Sequence, residues 1–561
     1  MKATLDKVQY TYSDQIKVQI MLDKAPESLH FRFYRLMDCI LTKTVGKSEF
    51  GSLTFSFSAT VLALDSQAAN GMLLIVEAEG ASGQLIDSTS VVFDIVASPY
   101  QTPRYGFVSD FSTRVDPTRV ISSLRRYHIN IVQYYDWMYR HHQLLTDQPE
   151  YDDAMGKHIS FNTVSGLQEA AHAAGMKNIA YAAIYGAQPE YAESHPAERL
   201  YSIRAQPLNF LPQIAYMDVH LSSGWAQHIA NQFVATLEQG FDGLHLDTYG
   251  FPKEALSHDG QVRYLRDDIP ALIQMLRRRL DLNDATRNKA TIFNNVNGWP
   301  LSATAQAPTE ANYIEVWSPH DTLYDLYLLI QKARAMAPTK PVILAAYLHQ
   351  FLGIDEHSPV SDVDAALYSS LLTMATIYAS GGFHLALGDD ARILTQAYYS
   401  DNAPMFGPVQ ERFQSYLDFV VQNEALLIAP ELVDETEAVV DGINDEIVLQ
   451  GVSYASKPVV GRVWVLVKKT KTFEVIHLIN LVGAAHTQWA ERNEGHPDLC
   501  EHIVIRVESV ARRPKRVYSA SPDSSNWKEL SYQIFESERG IFYEIAVPQL
   551  LIWNLIYIDY D

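Results

Sequence analysis

The central part of the chain alternates short apolar runs with segments of helix length, and this alternation restricts the possible fold more than any other feature. Between about residues 99 and 430 there are eight such runs, at 105–110, 129–135, 177–185, 243–249, 291–297, 313–317, 342–348 and 383–389. The segments between them include helical patterns such as 224–239 and 365–379. Strands that alternate with helices form parallel sheets, so eight units in this length predict a (β/α)8 TIM barrel.

Both ends of the chain have a different pattern, in which apolar and polar residues alternate over short stretches. The pattern occurs at 16–20 and 53–57 near the start, and strand patterns return at 459–468 and 542–547. Alternation with a period of two is typical of half-buried strands, so each end is predicted to form a β-sandwich. Pro99 and Pro103 mark the first change of pattern. We therefore predict three domains, at 1–98, 99–430 and 431–561.

The overall composition limits the classes of function. With 47% hydrophobic and 20% charged residues among 561, the chain is expected to fold into a globular protein. Its formal net charge is -22 and it has no long run of Lys or Arg, so nucleic acid is not expected as a partner. A membrane is not expected either, because the first residues lack the apolar segment of a signal peptide and no apolar run is long enough to span a bilayer.

The sequence offers little for metal or cofactor chemistry. Its two cysteines, Cys39 and Cys500, fall in different predicted domains, which argues against a disulfide or a Cys-based zinc site. The acidic stretch 355–364 could bind calcium, but we favour a solvated loop. The motifs of zinc proteases, phosphate loops, serine-hydrolase elbows and dinucleotide-binding folds are absent. We expect no metal and no cofactor.

Two carboxylates stand where predicted barrel strands end. Asp247 closes the run GLHLD before the chain turns at Gly250, and Glu315 lies in NYIEVW. The C-terminal ends of barrel strands carry the catalytic groups of barrel enzymes, and two carboxylates that face one substrate are typical of glycosidic bond cleavage. In a retaining mechanism Asp247 would be the nucleophile and Glu315 the acid/base, with a pKa raised by its charged neighbour and by burial. A helix-capping or salt-bridging role is the alternative for each.

Further polar and aromatic side chains follow the other predicted strands, where they would meet at one mouth. Asp136 could accept hydrogen bonds from sugar hydroxyls, and Trp137 could either stack on a sugar or belong to the core. His245 faces the barrel lumen and is either core or substrate contact, while Asp389 could bind hydroxyls of the innermost sugar. The predicted substrate-binding residues are Tyr135, Asp136, Trp137, Tyr185, His245, Asn295, Asn297, Trp317, Tyr347, His384 and Asp389.

Several motifs together resemble glycoside hydrolase family 66, the dextranases and cycloisomaltooligosaccharide glucanotransferases. They are PRYGFVSDF at 103–111, QYYDWM at 133–138, GFDGLHLDTYG at 240–250, LAAY at 344–347, ASGGFHLALGD at 379–389 and HLINL at 477–481. The resemblance implies an N-terminal immunoglobulin-like domain, a (β/α)8 barrel and a C-terminal Greek-key β-sandwich. It also implies that Asp247 and Glu315 are the catalytic pair. The chain departs from the family pattern at Tyr139 and at His141 and His142.

The resemblance implies an endo-acting enzyme that cleaves α-1,6-glucosidic linkages of dextran to isomaltooligosaccharides, with retention and through a covalent glucosyl ester on Asp247. A cycloisomaltooligosaccharide glucanotransferase is the alternative. Cyclising members of the family carry a carbohydrate-binding module inserted in the barrel, and the segment between strands seven and eight is too short for one. A non-catalytic glucan-binding protein is a hypothesis from another class. We expect a monomer that acts outside the cell if a leader has been removed.

Overall fold

The computed structural model describes residues 1–49, 51–62, 64–65, 68–397, 401–441, 445–509, 512–538 and 540–560. Its centre is a sheet of eight parallel strands in sequential order. The strands are β1 Tyr105–Val108, β2 Ile131–Tyr134, β3 Lys177–Ala183, β4 Gly243–Asp247, β5 Ala290–Asn294, β6 Asn312–Glu315, β7 Val342–Ala345 and β8 Phe383–His384. The amide of Phe107 in β1 donates to the carbonyl of Leu387, just after β8, at 3.3 Å and brings the two edges together. The predicted barrel is confirmed.

Helices follow the barrel strands, and their ends agree with local sequence signals. The first begins after Asp116, whose side chain accepts hydrogen bonds from two backbone amides, and has Pro117 at its first position. The helix before β8 ends at Gly381, which has a φ of 92°. The helices are Pro117–Arg126, Phe161–Ala173, Pro189–Ser194, Gly224–Leu237, Leu265–Asp281, Leu301–Thr304, Leu323–Met336, Val360–Ser380, Gly407–Gln422, Glu424–Leu427 and Thr436–Val439.

The loops that follow β2, β3 and β4 contain short antiparallel strands. Because these loops leave the C-terminal ends of the strands, they surround the barrel mouth. The strands are Glu150–Asp152 with His158–Ser160, then Gly186–Ala187, Asn209–Leu211 and Ile214–Tyr216, and finally Glu254–Leu256 with Val262–Tyr264.

The N-terminal region forms two antiparallel sheets. The alternation of its sequence explains these sheets. In the strand Gln15–Leu22, Ile16, Val18, Ile20 and Leu22 are buried, while the residues between them are exposed. One sheet contains Lys2–Leu5, Gln15–Leu22 and Gly51–Ser58, and the other contains Ser28–Arg35, Asp38–Val45, Asn70–Glu79 and Leu85–Ile95.

The C-terminal region is also built mainly from antiparallel strands, in a seven-stranded and a four-stranded sheet. The larger sheet contains Val433–Asp434, Tyr454–Ala455, Val463–Lys469, Phe473–Asn480, Pro514–Ser521, Ser524–Glu529 and Trp553–Tyr560. The smaller one contains Ile447–Gln450, Cys500–Ser509, Tyr532–Ser537 and Gly540–Leu550. A barrel flanked by β-domains, as the sequence predicts, is therefore observed.

Three apolar clusters fill the molecule, one in each β-region and a large one in the barrel. The barrel cluster continues into both flanks, where it includes Val8, Trp464 and Trp553. The domain boundaries at 98/99 and 430/431 stay predictions, because the apolar packing is continuous across them. Cys39 and Cys500 are free thiols. Within the described residues, no helix is both long and apolar enough to cross a membrane.

A buried ion cluster lies where the N-terminal region meets the bottom of the barrel. The guanidinium of Arg104, which directly precedes β1, donates to Asp94 Oδ1 at 2.9 Å and to Glu424 Oε1 at 2.6 Å. Glu424 Oε2 is buried without a partner in the described part of the chain. Two carboxylates thus share one cation, and burial together with the charge of Asp94 raises the pKa of Glu424 well above its ordinary value.

Candidate active site

A cavity of about 160 Å³ opens at the C-terminal ends of the barrel strands. Its wall contains the last residues of three neighbouring strands, Asp247 of β4, Asn294 of β5 and Glu315 of β6. The predicted site residues that line it are Tyr135, His245, Asp247, Glu315, Trp317 and Tyr347. The structure therefore brings the two candidate catalytic carboxylates into one cavity.

One amide group connects the two carboxylates. Nδ2 of Asn294 donates to Asp247 Oδ1 at 2.8 Å and to Glu315 Oε2 at 3.0 Å. The other oxygen of each carboxylate has a tyrosine partner: the Tyr181 hydroxyl donates to Asp247 Oδ2 at 2.7 Å, and the Tyr347 hydroxyl donates to Glu315 Oε1 at 3.3 Å. Hydrogen bonds from both sides hold the two carboxylates in fixed positions.

Burial makes it costly to charge both carboxylates. Burial, with the charge of Glu315 as the second cause, raises the pKa of Asp247 to about 7. Burial also raises the pKa of Glu315. Two carboxyl groups that interact this closely titrate as a pair, so the first proton is lost more easily than the second. Near neutral pH the pair can hold a single proton.

The floor of the cavity is aromatic. His245 lies two residues before Asp247 on β4 and faces the same side of the strand. Its ring centroid is 4.7 Å from that of Tyr313, and its Nδ1 is 3.1 Å from the Tyr105 hydroxyl. Burial lowers the pKa of His245 to about 3, which keeps the imidazole neutral. His245 thus lines the site without adding charge next to the carboxylates.

Aromatic rings also form the walls. Tyr135 packs against Tyr181 with ring centroids 4.7 Å apart, and Trp317 packs against Tyr347 at 5.7 Å. On the loop side, Tyr249 stacks on Phe210 at 3.9 Å with the two planes 5° apart. Flat rings around a polar centre suit the C–H faces of a sugar.

Two predicted substrate contacts lie away from the cavity. Trp137 is fully buried against Phe241, with centroids 4.7 Å apart, and its Nε1 donates to a backbone carbonyl. In this structure it therefore packs in the core, the alternative considered from the sequence. Tyr185 is also buried; its hydroxyl donates to the carbonyl of Phe251 and accepts a hydrogen bond from the amide of Tyr249, so it supports the loop after β4.

The two predicted asparagines after β5 have structural partners instead. Asn295 is buried, and its Oδ1 accepts a hydrogen bond from Thr304 at 2.6 Å. Asn297 has a φ of 52° and accepts a 2.6 Å hydrogen bond from the amide of Trp317, so it fixes the loop that carries this ring. Both side chains hold the loops after β5, and the substrate contacts proposed for them stay predictions.

Asp389, His384 and Asp136 also lie outside the cavity wall. Asp389 accepts hydrogen bonds from the amide and the hydroxyl of Ser109 at 2.9 and 2.8 Å, which ties the end of the barrel to its beginning. His384 is buried, with Nε2 2.8 Å from the carbonyl of Ala346. Asp136 has a φ of 50°, and burial raises its pKa to about 7. The proposed sugar contacts of these residues stay predictions.

Sequence reasoning missed the two residues that hold the nucleophile candidate, Asn294 and Tyr181. Strand register would have found the first, because His245 of β4 is level with Ile292 of β5, which places Asn294 beside Asp247. Tyr181 is level with His245 on the other neighbour, β3, and its long side chain reaches up to Asp247. Both face inward, as alternation along a barrel strand requires.

The described residues contain no group of three or more His, Cys, Asp or Glu side chains arranged to hold a metal. In the acidic stretch considered for calcium, Asp355 Oδ1 accepts hydrogen bonds from the amide of His357 at 2.9 Å and from the hydroxyl of Ser358 at 3.2 Å. The Asp355 side chain closes a turn in its own exposed loop.

Comparison with known proteins finds relatives that match most of this chain. Two cycloisomaltooligosaccharide glucanotransferases of Niallia circulans are each 22% identical to this chain, in alignments 705 and 659 positions long. The alignments cover 98% and 92% of this chain and 71% and 66% of the two relatives. A dextranase of Streptococcus salivarius is 23% identical over 574 residues, 88% of this chain and 68% of that protein. The chain thus spans about two thirds of the length of these relatives.

A solved structure shares the fold over its full length. The cycloisomaltooligosaccharide glucanotransferase of Paenibacillus sp., complexed with cycloisomaltoheptaose, superposes with a TM-score of 0.87 over 99% of both chains at 20% identity. The model of Glycosyl hydrolase family 66 matches residues 5–557, which is nearly the whole sequence. The chain therefore belongs to glycosyl hydrolase family 66.

Proposed function

We propose that this chain is an endo-acting, retaining glycoside hydrolase that cleaves α-1,6-glucosidic linkages of dextran to isomaltooligosaccharides. The observation that carries the proposal is the bridge from Asn294 to Asp247 and Glu315. Because both hydrogen bonds start at one nitrogen, the two bridged oxygens lie at most about 5.8 Å apart, which is close enough for both carboxyl groups to act on one glycosidic bond. Direct attack by Asp247, and with it retention of configuration, is inferred from the resemblance to the family.

The hydrogen bonds favour Asp247 as the ionised member of the pair. It accepts bonds of 2.7 and 2.8 Å, whereas the partners of Glu315 are at 3.0 and 3.3 Å. Shorter bonds from donors stabilise the negative charge more strongly. Glu315 then keeps the proton that the pair holds near neutral pH.

The proposed reaction has two steps. The Asp247 carboxylate attacks the anomeric carbon, the bond to the glycosidic oxygen breaks, and the Glu315 proton moves to the leaving oxygen. Glu315, now ionised, takes a proton from water, which attacks the anomeric carbon and releases Asp247. Two inversions give net retention, and the Tyr181 and Asn294 donors can balance charge on the Asp247 oxygens throughout.

The substrate is inferred from the relatives. One is named a dextranase and two are named cycloisomaltooligosaccharide glucanotransferases. Both names describe chemistry on isomaltooligosaccharide chains. We therefore expect the aromatic walls around Tyr135 and Trp317 to hold glucosyl rings.

A glucanotransferase is the second candidate, because two of the relatives bear that name and the same ester can pass to a sugar hydroxyl instead of water. The hypothesis of a non-catalytic glucan-binding protein explains the aromatic walls. It gives no reason for a buried and a half-buried carboxylate linked by one amide, because burying charge without a chemical role is costly.

Digestion of dextran, beside starch and cellulose, tests the proposal. We expect linear isomaltooligosaccharides from dextran alone, with the new reducing ends in the α configuration when proton NMR spectra are recorded early. Early formation of mainly cyclic products would favour the glucanotransferase. The variant Asp247→Gly should still bind dextran but not cleave it; normal turnover by this variant would refute the assignment of the nucleophile.

We also propose that the flanking regions are an immunoglobulin-like sandwich at 1–98 and a Greek-key sandwich at 431–561. Two antiparallel sheets of three and four strands at the N-terminus support the first assignment. The seven-stranded and four-stranded sheets at the C-terminus support the second.

A further inference from the structure

A long connection joins two strands of the C-terminal region. It comprises residues 481–499, between the strands Phe473–Asn480 and Cys500–Ser509. All of these residues belong to the described part of the chain, and none of them lies in a helix or a strand. Connections of about twenty residues without secondary structure are uncommon in compact domains and are usually either functional or disordered. This one is fixed in place, because Trp489 and Asn493 are buried.

The middle of this connection, residues 484–495, folds back on itself, and we call it the clasp. Nδ2 of Asn493 donates to the carbonyl of His486 at 3.0 Å, across the loop. The two ends of the clasp meet, because a Cβ atom on Gly495 would collide with the carbonyl oxygen of Gly483. Compact loops whose ends are close and whose own side chains pack inside them are frequently functional.

The clasp pairs with the loop that follows β6. The amide of Trp489 donates to the carbonyl of Asp321 at 3.1 Å, and the amide of Leu323 donates to the carbonyl of Thr487 at 2.9 Å. Nε1 of Trp489 also donates to the carbonyl of His320 at 2.7 Å. These hydrogen bonds attach the C-terminal region directly to the mouth of the barrel.

The clasp also bonds to the loop that follows β7. Nε of Arg492 donates to the carbonyl of Gln350 at 2.8 Å, and its Nη2 donates to the carbonyl of Leu352 at 2.5 Å. The ring of His349, in the same turn, forms an aromatic pair with the indole of the clasp at 6.3 Å and another with Trp317 at 6.2 Å. One loop of the C-terminal region therefore holds two loops of the barrel.

These two barrel loops carry hydrogen-bond donors to Glu315. Burial raises the pKa of Glu315, and hydrogen bonds from Asn294 and from the side chains of Trp317 and Tyr347 oppose this rise. Trp317 and Tyr347 each lie three residues before a carbonyl that accepts a hydrogen bond from a side chain of the clasp. The clasp is thus attached to each loop close to a donor.

We propose that the clasp positions Trp317 and Tyr347 against Glu315, so that the C-terminal region helps to shape the active site. No hydrogen bond of the described residues joins the clasp to either carboxylate, so Arg492 and Trp489 are positioning residues. This role rests on the proposed function, in which Glu315 is the acid/base. When the loops loosen, the ionised form of Glu315 loses hydrogen bonds and becomes less stable.

The pH dependence of kcat/KM on dextran tests this role in the intact chain. Arg492→Ala removes both bonds to the loop after β7 and should move the basic limb, which Glu315 sets, to higher pH, while the acidic limb stays in place. It should also lower kcat/KM by about tenfold or more, because a displacement of about 1 Å near the reacting atoms can cost 100-fold. A purely structural loss would lower activity without moving one limb alone.

Arg512→Ala is the matched control. Arg512 is half-exposed like Arg492 and also donates to a backbone carbonyl, that of Thr470, but this bond lies within the C-terminal region. The pH profile of the control should equal that of the unmodified chain.

Hydrogen exchange, measured by mass spectrometry, tests the attachment itself without activity. Peptides that cover 347–354 should exchange several-fold faster in Arg492→Ala than in the unmodified chain, and in Arg512→Ala they should not. Trp489→Phe keeps an aromatic ring but loses the hydrogen bond to His320, so it should have the same effect at 317–323. This variant carries the test if Arg492→Ala does not fold.

Failure of the clasp can be distinguished from failure of the proposed function. An unmodified chain that does not cleave dextran refutes the proposed function, and the catalytic role of the clasp falls with it. If the unmodified chain cleaves dextran but Arg492→Ala has the pH profile of Arg512→Ala, only the role of the clasp is refuted. Unchanged exchange at 347–354 in Arg492→Ala refutes that role as well.

Discussion

The hydroxyl of Tyr181 donates a 2.7 Å hydrogen bond to Oδ2 of Asp247 from the neighbouring strand. In the register of β3 and β4, Tyr181 is level with His245 and Ala183 is level with Asp247. Tyr181 therefore lies two residues deeper in the barrel than Asp247, and its long side chain extends up to the carboxylate. Through this bond, β3 helps to set both the orientation and the charge of Asp247.

Replacement of Tyr181 by Phe should move the acidic limb of the pH–activity profile to higher pH. The tyrosine hydrogen bond lowers the pKa of Asp247, so its loss raises that pKa further above its ordinary value, and the nucleophile becomes ionised only at higher pH. The pH dependence of kcat/KM measures the shift. Tyr185→Phe is the matched control, because its hydroxyl bonds to the Phe251 carbonyl and not to a carboxylate. Equal profiles for both variants would contradict the role of Tyr181.

Replacement of Glu315 by Gln should remove the basic limb of the profile and leave the acidic limb nearly in place. In the proposed reaction Asp247 ionises while Glu315 still holds its proton, and a glutamine side chain is neutral, as that protonated carboxyl is. An aryl glycoside with a good leaving group needs no proton from Glu315, so its pH profile in the variant reports Asp247 alone. A basic limb that persists in the variant on this substrate would contradict Glu315 as the second titrating group.

Asn294→Ala should lower kcat by about 10- to 100-fold, because its hydrogen bond to the ionised Asp247 is lost and such a bond contributes roughly 1.5–3 kcal/mol. KM should change much less, since no predicted substrate contact is removed. Asn295→Ala is the control: the adjacent side chain is equally buried but bonds to Thr304 and to backbone carbonyls. We expect it to lower the unfolding temperature and to leave kcat within a few-fold. Equal losses of kcat would mean that Asn294 acts only through the fold.

The sequence was sufficient for the barrel and for the two carboxylates. Asp247 and Glu315 could be recognised because each ends an apolar run, and strand ends in a parallel barrel meet at one mouth. Asn294 could not be selected among the neighbouring asparagines, because only the register between β4 and β5 distinguishes it from Asn295.

Trp137 was ambiguous for a different reason. Alternation along β2 cannot be continued past Asp136, whose φ of 50° redirects the chain. The tryptophan after it packs against Phe241 and Phe161. Positive φ at a residue other than glycine is rare and leaves no clear signal in a single sequence, so the core interpretation of Trp137 could be chosen only from the structure.

The two tryptophans of the predicted site should therefore respond differently to truncation. Trp137→Ala removes a fully buried side chain and should cost about 3–5 kcal/mol of unfolding free energy. Trp317→Ala removes a partly exposed ring from the cavity wall, so it should raise KM several-fold with little change in stability. Thermal unfolding and steady-state kinetics of both variants provide the comparison. A large loss of stability in Trp317→Ala would contradict its assignment to the cavity.

The ion cluster at the bottom of the barrel should make stability depend on pH through Glu424. Burial and Asp94 raise the pKa of this carboxyl in the folded state, so the folded protein holds a proton that the unfolded chain releases above its ordinary pKa. The contribution of this carboxyl to the free energy of unfolding is fully present at low pH, and it is lost as the pH rises from the unfolded pKa toward the folded pKa. Glu424→Gln cannot lose a proton and should unfold at a higher temperature than the unmodified chain at pH 8, but at nearly the same temperature at pH 4. Glu431→Gln, an exposed neighbour, controls for the change in net charge. If Glu424→Gln is less stable at pH 8, the carboxyl is charged in the fold, and its attraction to Arg104 outweighs both its burial and the charge of Asp94.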